Sequence, residues 1–281
     1  MSTLVPPLFA GLVDDASLLP PGIIGPPEAL ATHLKHRDAW YAGLLGALLV
    51  PSSLVHLEIA PRGLAVGVVN DTAIGALPAV VAKLRAAGAG VVRVEAAVAR
   101  RGEDPQPGLS ALGALAGEDP DLHVYAEIPL SWGLLAGLDT VAAQRAAGLR
   151  IAPKFRVGGL AAELFPTPVE LAAVICACRD RGLPFKLAAG LRHALRHTDP
   201  ETGFTHHGFL NVLVASVAAS DGAEVAEVAE ALAATHPVPL VEPARTRRDE
   251  PRPLWAGFGA TNVLEPLTEL IRLGLINGGY E

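Results

Sequence analysis

Short apolar runs recur along this chain, and most are followed by a segment with helical periodicity. The runs predict strands at 44–50, 64–69, 91–98, 123–128, 150–157, 184–189, 238–242 and 254–259. Polar residues do not alternate with apolar ones inside these runs. Such runs are typical of strands that are buried on both faces of a parallel sheet.

The segments between the strands have the apolar spacing of amphipathic helices. The clearest helical patterns lie at 74–87, 139–147, 167–181 and 262–275. The third begins with Thr167 and Pro168 and has Glu170 three residues after the threonine. This arrangement predicts a capping box with proline in the first helical turn.

Eight strand–helix units in a chain of 281 residues predict an α/β fold. The favoured architecture is a (β/α)8 barrel, the TIM barrel, formed as a single domain over residues 1–281. The region 191–236 contains more helix than one crossover needs, so we expect a helical excursion there. An open doubly wound sheet is the alternative. No G-x-G-x-x-G motif follows the first strand, which argues against a dinucleotide-binding domain.

Composition narrows the classes of partner. Apolar residues make up 51% of the chain and the formal net charge is −7. No stripe of lysine and arginine is present, so nucleic acid is not an expected partner. The most hydrophobic run, at 39–50, spans twelve residues, whereas a membrane helix needs roughly 20. We therefore expect no membrane partner.

The two cysteines and the chain start suggest a compartment. Cys176 and Cys178 are two residues apart in a helical pattern, where they face different sides and do not pair. The N-terminus has no basic region before its apolar residues, unlike a signal peptide. We therefore expect a cytoplasmic protein. The mean hydropathy of +0.37 is compatible with a buried face between copies, so a homo-oligomer is a further expectation.

Charged residues stand at the ends of the predicted strands. In a barrel of this type, the C-terminal ends of the strands face the active site. At those ends lie Asn70, Glu95, Glu127, Lys154 and Lys186. Alternate residues of a strand share a face, so Arg93 lies on the side of Glu95 and Arg156 on the side of Lys154. The pattern predicts a pocket in which acids and bases balance.

The two lysines lie in motifs that resemble those of a known family. "KFRVG" at 154–158 and "KLAAGLR" at 186–192 are similar to the K-T-S-T-G and K-A-S/A-G-G-I-R stretches of the class I deoxyribose-phosphate aldolases. The helix between them has a similar length. The segments "LVDDASLLPP" at 12–21, "LRAAGAGVVRVEAAV" at 84–98 and "HVYAEIPL" at 123–130 also resemble that family in the same order.

The resemblance implies a (β/α)8 lyase that forms a Schiff base with a small carbonyl substrate, possibly a phosphorylated one, and needs no cofactor or metal. It makes Lys154 the iminium former and Lys186 the neighbour that keeps its amine unprotonated. Arg93 stands where the family has its proton-relay aspartate, so Glu95 or Glu127 would move protons. For substrate binding, the candidates are Asn70, Arg93, Arg156, Gly158, Gly159 and Gly190.

A cluster of histidines supports a second hypothesis. His193, His197, His206 and His207 lie within a short segment. His193 and His197 are four residues apart and would share one helix face, a spacing that can bind a metal. A metal-dependent hydrolase or lyase is thus an alternative, although "HALRH" lacks the glutamate of the zinc-protease motif.

The stretch "HHGFLNVLVASVAA" at 206–219 predicts a helix that carries His207 and Asn211 on one face. If that helix covers the barrel mouth, His207 and Asn211 are candidates for substrate contact. His193 is a further candidate, as one of the histidines that would line the entrance. A third hypothesis is a non-catalytic barrel that binds a metabolite. Borohydride trapping and sensitivity to chelators would distinguish the three.

Overall fold

Eight parallel strands close into a barrel in this computed structural model, which describes residues 5–20, 24–54 and 63–278. The barrel strands are β1 (Val13–Asp15), β2 (Leu45–Pro51), β3 (Ala65–Val69), β4 (Gly90–Ala97), β5 (His123–Glu127), β6 (Ile151–Arg156), β7 (Phe185–Ala188) and β10 (Trp255–Ala260). Each strand pairs with its neighbours in chain order, and β10 pairs with β1 to close the ring. The predicted (β/α)8 barrel is confirmed.

Helices occupy the connections. They are α1 (Pro26–Asp38), α2 (Leu77–Ala86), α3 (Gln106–Glu118), α4 (Leu134–Ala146), α5 (Pro168–Asp180), α6 (Phe209–Ser220), α7 (Val225–Ala233), α8 (Val238–Thr246) and α9 (Leu264–Arg272). The expected excursion between β7 and β10 contains α6, α7 and a small antiparallel hairpin of β8 (His197–Thr198) and β9 (Thr205–His206).

Seven predicted strands are found within one residue of their predicted bounds, but the strand predicted at 238–242 is wrong. That segment forms α8, with Pro239 in its first turn. Proline has no amide hydrogen to donate to a sheet ladder, whereas it fits the first turn of a helix. The missing strand is β1, which the sequence analysis did not predict. Pro21, at the end of the family-like segment 12–21, lies outside the described residues.

Two predicted helix starts have different outcomes. At α5 the capping box is confirmed, because Thr167 accepts a hydrogen bond from the Glu170 amide and Glu170 accepts one from the Thr167 amide. At α4 the predicted start at 139 is wrong. The helix begins at Leu134 after Gly133, whose positive φ of 84° turns the chain into it. Asp139 lies inside that helix and pairs with Arg181 at 2.7 Å.

The core lies between the barrel and its helices. Helix α6 is buried along almost its whole length and packs against α5, α7 and α8, as expected of a helix that is apolar on all sides. Cys176 and Cys178 are buried and unpaired with each other. Across the described ranges, the structure contains no helix that is both long and apolar enough to cross a membrane.

Small residues inside the barrel leave space for charged side chains. A Cβ atom on Gly67 of β3 would lie 2.9 Å from both Arg93 Nε and Leu49 Cδ2. A side chain at Gly46 of β2 would occupy the place of the Asp14 carboxylate. These two glycines therefore make room inside the barrel for Arg93 and Asp14. Charged groups in such a place need partners of opposite charge, because they are costly to bury alone.

Candidate active site

The register of three neighbouring strands brings the predicted catalytic residues together. Glu127 of β5 pairs with Lys154 of β6, and Lys154 pairs with Lys186 of β7. The two lysines therefore lie at the same level of the barrel. Both are almost fully buried, with 4% and 2% of their surfaces exposed.

Glu95 of β4 lies between the two lysines. Its Oε2 is 3.1 Å from Lys154 Nζ, and its Oε1 contacts Lys186 Nζ. Arg93 Nε lies 3.3 Å from the same Oε1 atom. A single buried carboxylate thus contacts three cationic side chains. Its position explains how the barrel holds two lysines so close to each other.

Asp14 of β1 is a member of this group that the sequence analysis did not single out. Its Oδ2 is 2.5 Å from Lys186 Nζ, and its Oδ1 contacts the Arg93 guanidinium. The signal was present, since Asp14 lies in the segment 12–21 that resembles the aldolase family. It was missed because no strand was predicted there. We call the six residues Asp14, Arg93, Glu95, Glu127, Lys154 and Lys186 the charge cluster.

Glu127 connects the charge cluster to an open pocket. Its Oε2 is 2.8 Å from Lys154 Nζ, and its Oε1 accepts a hydrogen bond from Arg156 Nε at 3.0 Å. Glu127 and Arg156 line a pocket of about 270 Å³ at the C-terminal ends of β4, β5 and β6. The Arg156 side chain is 47% exposed, whereas Lys154 lies beneath Glu127.

The charges within the cluster stabilise one another. Burial alone would raise the pKa of the Glu95 carboxyl, but Lys186, Lys154 and Arg93 outweigh it and hold that pKa well below its usual range. Burial likewise opposes ionisation of Asp14 and Glu127, and their cationic neighbours again lower both pKa values. All three carboxylates are therefore ionised at neutral pH.

The expectation that Lys186 keeps the Lys154 amine unprotonated stays a prediction, and the carboxylates around Lys154 oppose it. Burial disfavours the Lys154 ammonium, but the charges of Glu95 and Glu127 outweigh burial and raise the pKa of Lys154. The physical reason is that a carboxylate lies between the two lysines. Lys154 is therefore an ammonium in this structure.

Below the lysines, aromatic residues line the barrel. The Tyr125 ring has its centroid 5.4 Å from Lys186 Nζ, within reach of a cation–π contact. Burial raises the pKa of Tyr125 to about 12, so its hydroxyl stays neutral. The Tyr125 ring stacks on His123 with the centroids 4.5 Å apart. These rings close the cluster from beneath.

The three glycines predicted to bind substrate lie in tightly packed loops after β6 and β7. A Cβ atom on Gly158 would lie 2.8 Å from the Gly190 Cα, and one on Gly159 would collide with the Leu164 side chain. Gly190 has a positive φ of 75°, which favours glycine. These contacts show that close packing of the loops requires glycine at these positions. Their role in substrate binding stays a prediction.

Asn70 belongs to a hydrogen-bonded group at the ends of β2 and β3. The Ser52 hydroxyl contacts Asp71 Oδ1 at 2.7 Å and Asn70 Oδ1 at 3.2 Å. The Asn70 side-chain amide donates to the Thr72 carbonyl oxygen at 2.8 Å. This network joins the two loops, and substrate contact by Asn70 stays a prediction.

The histidines do not lie on a helix, so the predicted shared helix face is wrong. His197 is in β8, and its ring is 4.4 Å from that of His193 and 5.2 Å from that of His206. His193 Nδ1 lies 2.8 Å from Glu269 Oε1. A stable helix cannot form because the chain must turn back at 199–203 to pair β8 with β9.

His207 and Asn211 are buried, and their polar atoms have protein partners. His207 Nε2 lies 2.8 Å from the Pro166 carbonyl oxygen. Asn211 accepts a hydrogen bond from the Arg196 amide and donates to the carbonyl oxygens of Ala231 and Ala234. These bonds give both residues a structural role, and their predicted contact with substrate stays a prediction.

A metal site finds no support in the part of the chain that the structure describes. There, no three His, Cys, Asp or Glu side chains converge as metal ligands would. The His197 ring lies edge-on to the His193 ring and stacks on the His206 ring. The histidine-cluster hypothesis therefore lacks a ligand set in the described residues.

Comparison with known proteins adds only a distant likeness of fold. No family model matches the sequence, and no curated protein matches it. The chain is similar to the crystal structure of a lysine/ornithine decarboxylase complexed with cadaverine from Vibrio vulnificus, with a TM-score of 0.39 and 14% identity. The match covers 64% of this chain and 47% of the decarboxylase chain. A likeness of this size carries no information about activity.

Proposed function

We propose that this protein is a lyase that forms a Schiff base between Lys154 and a small carbonyl compound. One observation carries the proposal. A buried lysine amine lies 2.8 Å from the carboxylate of Glu127, a residue that lines the pocket at the C-terminal ends of the strands. The amine thus has a base beside it, and that base borders a pocket for the substrate.

The first step must remove a proton from Lys154. Glu127 Oε2 is the acceptor, since it is within hydrogen-bond reach of Nζ and belongs to a residue that lines the pocket. The freed electron pair of Nζ attacks the carbonyl carbon, and the carbonyl oxygen takes up a proton. The resulting carbinolamine loses water and leaves an iminium at Lys154.

The iminium then accepts electrons. In a β-hydroxy carbonyl substrate, the β-hydroxyl gives its proton to a carboxylate and the bond between the α and β carbons breaks. The electron pair of that bond moves into the iminium as an enamine, and the β carbon leaves as an aldehyde. Protonation of the enamine and addition of one water release the second carbonyl product and restore Lys154.

Lys186 has a positioning role in this proposal. It contacts both Asp14 and Glu95, so it holds Glu95 ionised beside the reacting nitrogen. A negative charge at Glu95 Oε2, 3.1 Å from Lys154 Nζ, stabilises the positive iminium electrostatically. Preorganised charge of this kind is a large part of enzymatic rate enhancement.

A second candidate is a barrel that binds an anion or metabolite without chemistry. One observation favours it: the pKa of Lys154 is raised by Glu95 and Glu127 despite burial, which keeps the amine protonated. In that case the charge cluster would be a set of buried ion pairs that fill the barrel.

Borohydride trapping distinguishes the two candidates. The chain has four lysines, Lys35, Lys83, Lys154 and Lys186, so peptide mass spectrometry can assign a reduced adduct to one of them. The protein would be incubated with a panel of small aldehydes and ketones and reduced. We expect an adduct on Lys154 that is absent from Lys154→Arg.

The arginine variant retains the positive charge between Glu95 and Glu127 but does not deprotonate. Lys83→Arg, on the exposed face of α2, is the matched control and should keep the adduct. An adduct on Lys186 instead would exchange the roles of the two lysines. Folded protein with no adduct above that of the surface lysines would favour the binding barrel.

A further inference from the structure

The pocket above Glu127 has an excess of positive charge. Its lining includes three arginines, Arg100, Arg101 and Arg156, against two carboxylates, Glu127 and Glu163. One of those carboxylates, Glu127, is already paired with Lys154. This positive pocket stands in a protein whose formal net charge is −7, so the charge is local to the site.

The arginines present donors that the described protein atoms do not use. Arg156 bonds to Glu127 through Nε alone. Arg101 is held at the pocket rim by its Nη1, which donates to the carbonyl oxygens of Leu130 and Glu163 at 3.2 Å each. The Arg100 guanidinium makes no hydrogen bond or ion pair with any described residue. Guanidinium forks of this kind match the geometry of carboxylate and phosphate groups.

We propose that this pocket binds an anionic group of the substrate, a carboxylate or a phosphate, through Arg100, Arg101 and Arg156, and that binding releases Glu127 to deprotonate Lys154. The second half rests on the proposed Schiff-base function, whereas the first half stands on the arginines alone.

The coupling follows from the two oxygens of Glu127. Oε1 accepts a hydrogen bond from Arg156 and Oε2 lies against Lys154, so both cations stabilise its charge. An anion that takes the Arg156 guanidinium removes one of them. Glu127 then becomes a stronger base, and the proton passes from Lys154 Nζ to Glu127 Oε2. A substrate with the correct charge would thus generate the free amine that attacks its own carbonyl.

The binding half can be tested with inorganic phosphate and acetate as probes in titration calorimetry. We expect measurable binding to the wild-type chain, and the tighter of the two probes identifies the anionic group. Loss of one charged hydrogen-bonding partner in Arg100→Gln or Arg156→Gln should weaken that binding by about tenfold or more. Arg272→Gln, on α9 away from the pocket, makes the same change in net charge and should bind as the wild type does.

The coupling half can be tested by the rate of borohydride trapping with a neutral carbonyl such as acetone. Added phosphate or acetate should accelerate adduct formation on Lys154 in the wild type and not in Arg156→Gln. Arg156→Lys, which keeps the charge but loses the fork, should give an intermediate response and guards against a variant that fails to fold.

The outcomes separate the two proposals. Trapping on Lys154 that is insensitive to anions, with no anion binding, would overturn this inference and leave the Schiff-base function intact. Anion binding that depends on the arginines, without any adduct on Lys154, would support the pocket and overturn the coupling together with the lyase function. If Arg100→Gln and Arg156→Gln bound the anion as tightly as the wild type does, the anion would bind outside this pocket, and the inference would be overturned.

Discussion

Two regions of this molecule are rich in ionisable side chains, and they are organised in opposite ways. The charge cluster collects six residues from five barrel strands that are far apart in sequence. The segment 193–207, which we call the histidine hairpin, has four histidines close together along the chain. In the cluster each group contacts several opposite charges. In the hairpin, the histidines stack on one another or contact single groups from other segments, such as Glu269 and the Pro166 carbonyl oxygen.

The comparison shows that a high density of ionisable residues along the sequence does not by itself indicate a functional site. Strand ends of a closed barrel converge on one axis, so residues from distant segments meet there. In the hairpin, three histidine rings lie together, whereas the successive residues His206 and His207 diverge, as neighbours in an extended chain do. His206 stacks on His197, whereas His207 points to the Pro166 carbonyl oxygen.

The largest effect on stability is expected in the charge cluster. Lys186→Met would leave Asp14 and Glu95 buried without the ammonium that contacts both. Removing one member of a buried ion pair costs about 3–5 kcal/mol, and we expect a loss of unfolding free energy in this range. Urea unfolding at neutral pH measures it. A loss below about 1 kcal/mol would mean that Arg93 and Lys154 neutralise both carboxylates without Lys186.

Sequence patterns predicted most of the fold because buried parallel strands are strongly apolar. The exceptions are instructive. Strand β1 has three residues, two of them aspartates, so it lacks the apolar run that marks a strand. The segment 238–242 has such a run, but Pro239 suits the first turn of a helix that begins at Val238 better than a central strand.

Five of the six members of the charge cluster were predictable, whereas its electrostatics were not. Their positions at the C-terminal ends of predicted strands were enough to place Glu95 and Lys154 at the active-site end of the barrel. The protonation state of Lys154 depends on which carboxylates from β4 and β5 reach its nitrogen, and that is a tertiary property. Asp14 shows the same limit, since it joins the cluster only through the closure of β1 against β10.

An intermediate effect on the free energy of unfolding is expected in mild acid. It comes from His207, in the histidine hairpin. Burial lowers the pKa of His207 to about 4 from the ordinary 6.5. The folded chain therefore binds this proton less readily than the unfolded chain. The stability contributed by neutral His207 is complete above pH 6.5 and is lost as pH falls towards 4. The loss amounts to about 2 kcal/mol by pH 5.

The check is the change in unfolding free energy between pH 7 and pH 5, measured separately for the wild type and His207→Gln. We expect the change to be smaller in the variant by about 2 kcal/mol. His123, whose pKa burial also lowers to about 4, remains in both proteins and cancels. The carboxylates of the charge cluster have lowered pKa values, so their contribution is lost only at lower pH. If the wild type and His207→Gln had the same pH dependence, protonation of His207 in the folded protein would cost no stability.

The smallest effect is expected at the centre of the histidine hairpin. His197 is partly exposed and contacts His193 and His206 through its ring, and it forms no ion pair with any described residue. A pair of aromatic rings contributes about 0.5–1.5 kcal/mol when well packed, so His197→Gln should cost less than about 1 kcal/mol and leave trapping at Lys154 unchanged. The contrast with Lys186→Met, several times larger, would confirm that the two regions differ in kind. If His197→Gln instead slowed trapping tenfold at full stability, the hairpin would contact the substrate, and the site would extend from the charge cluster to the loop after β7.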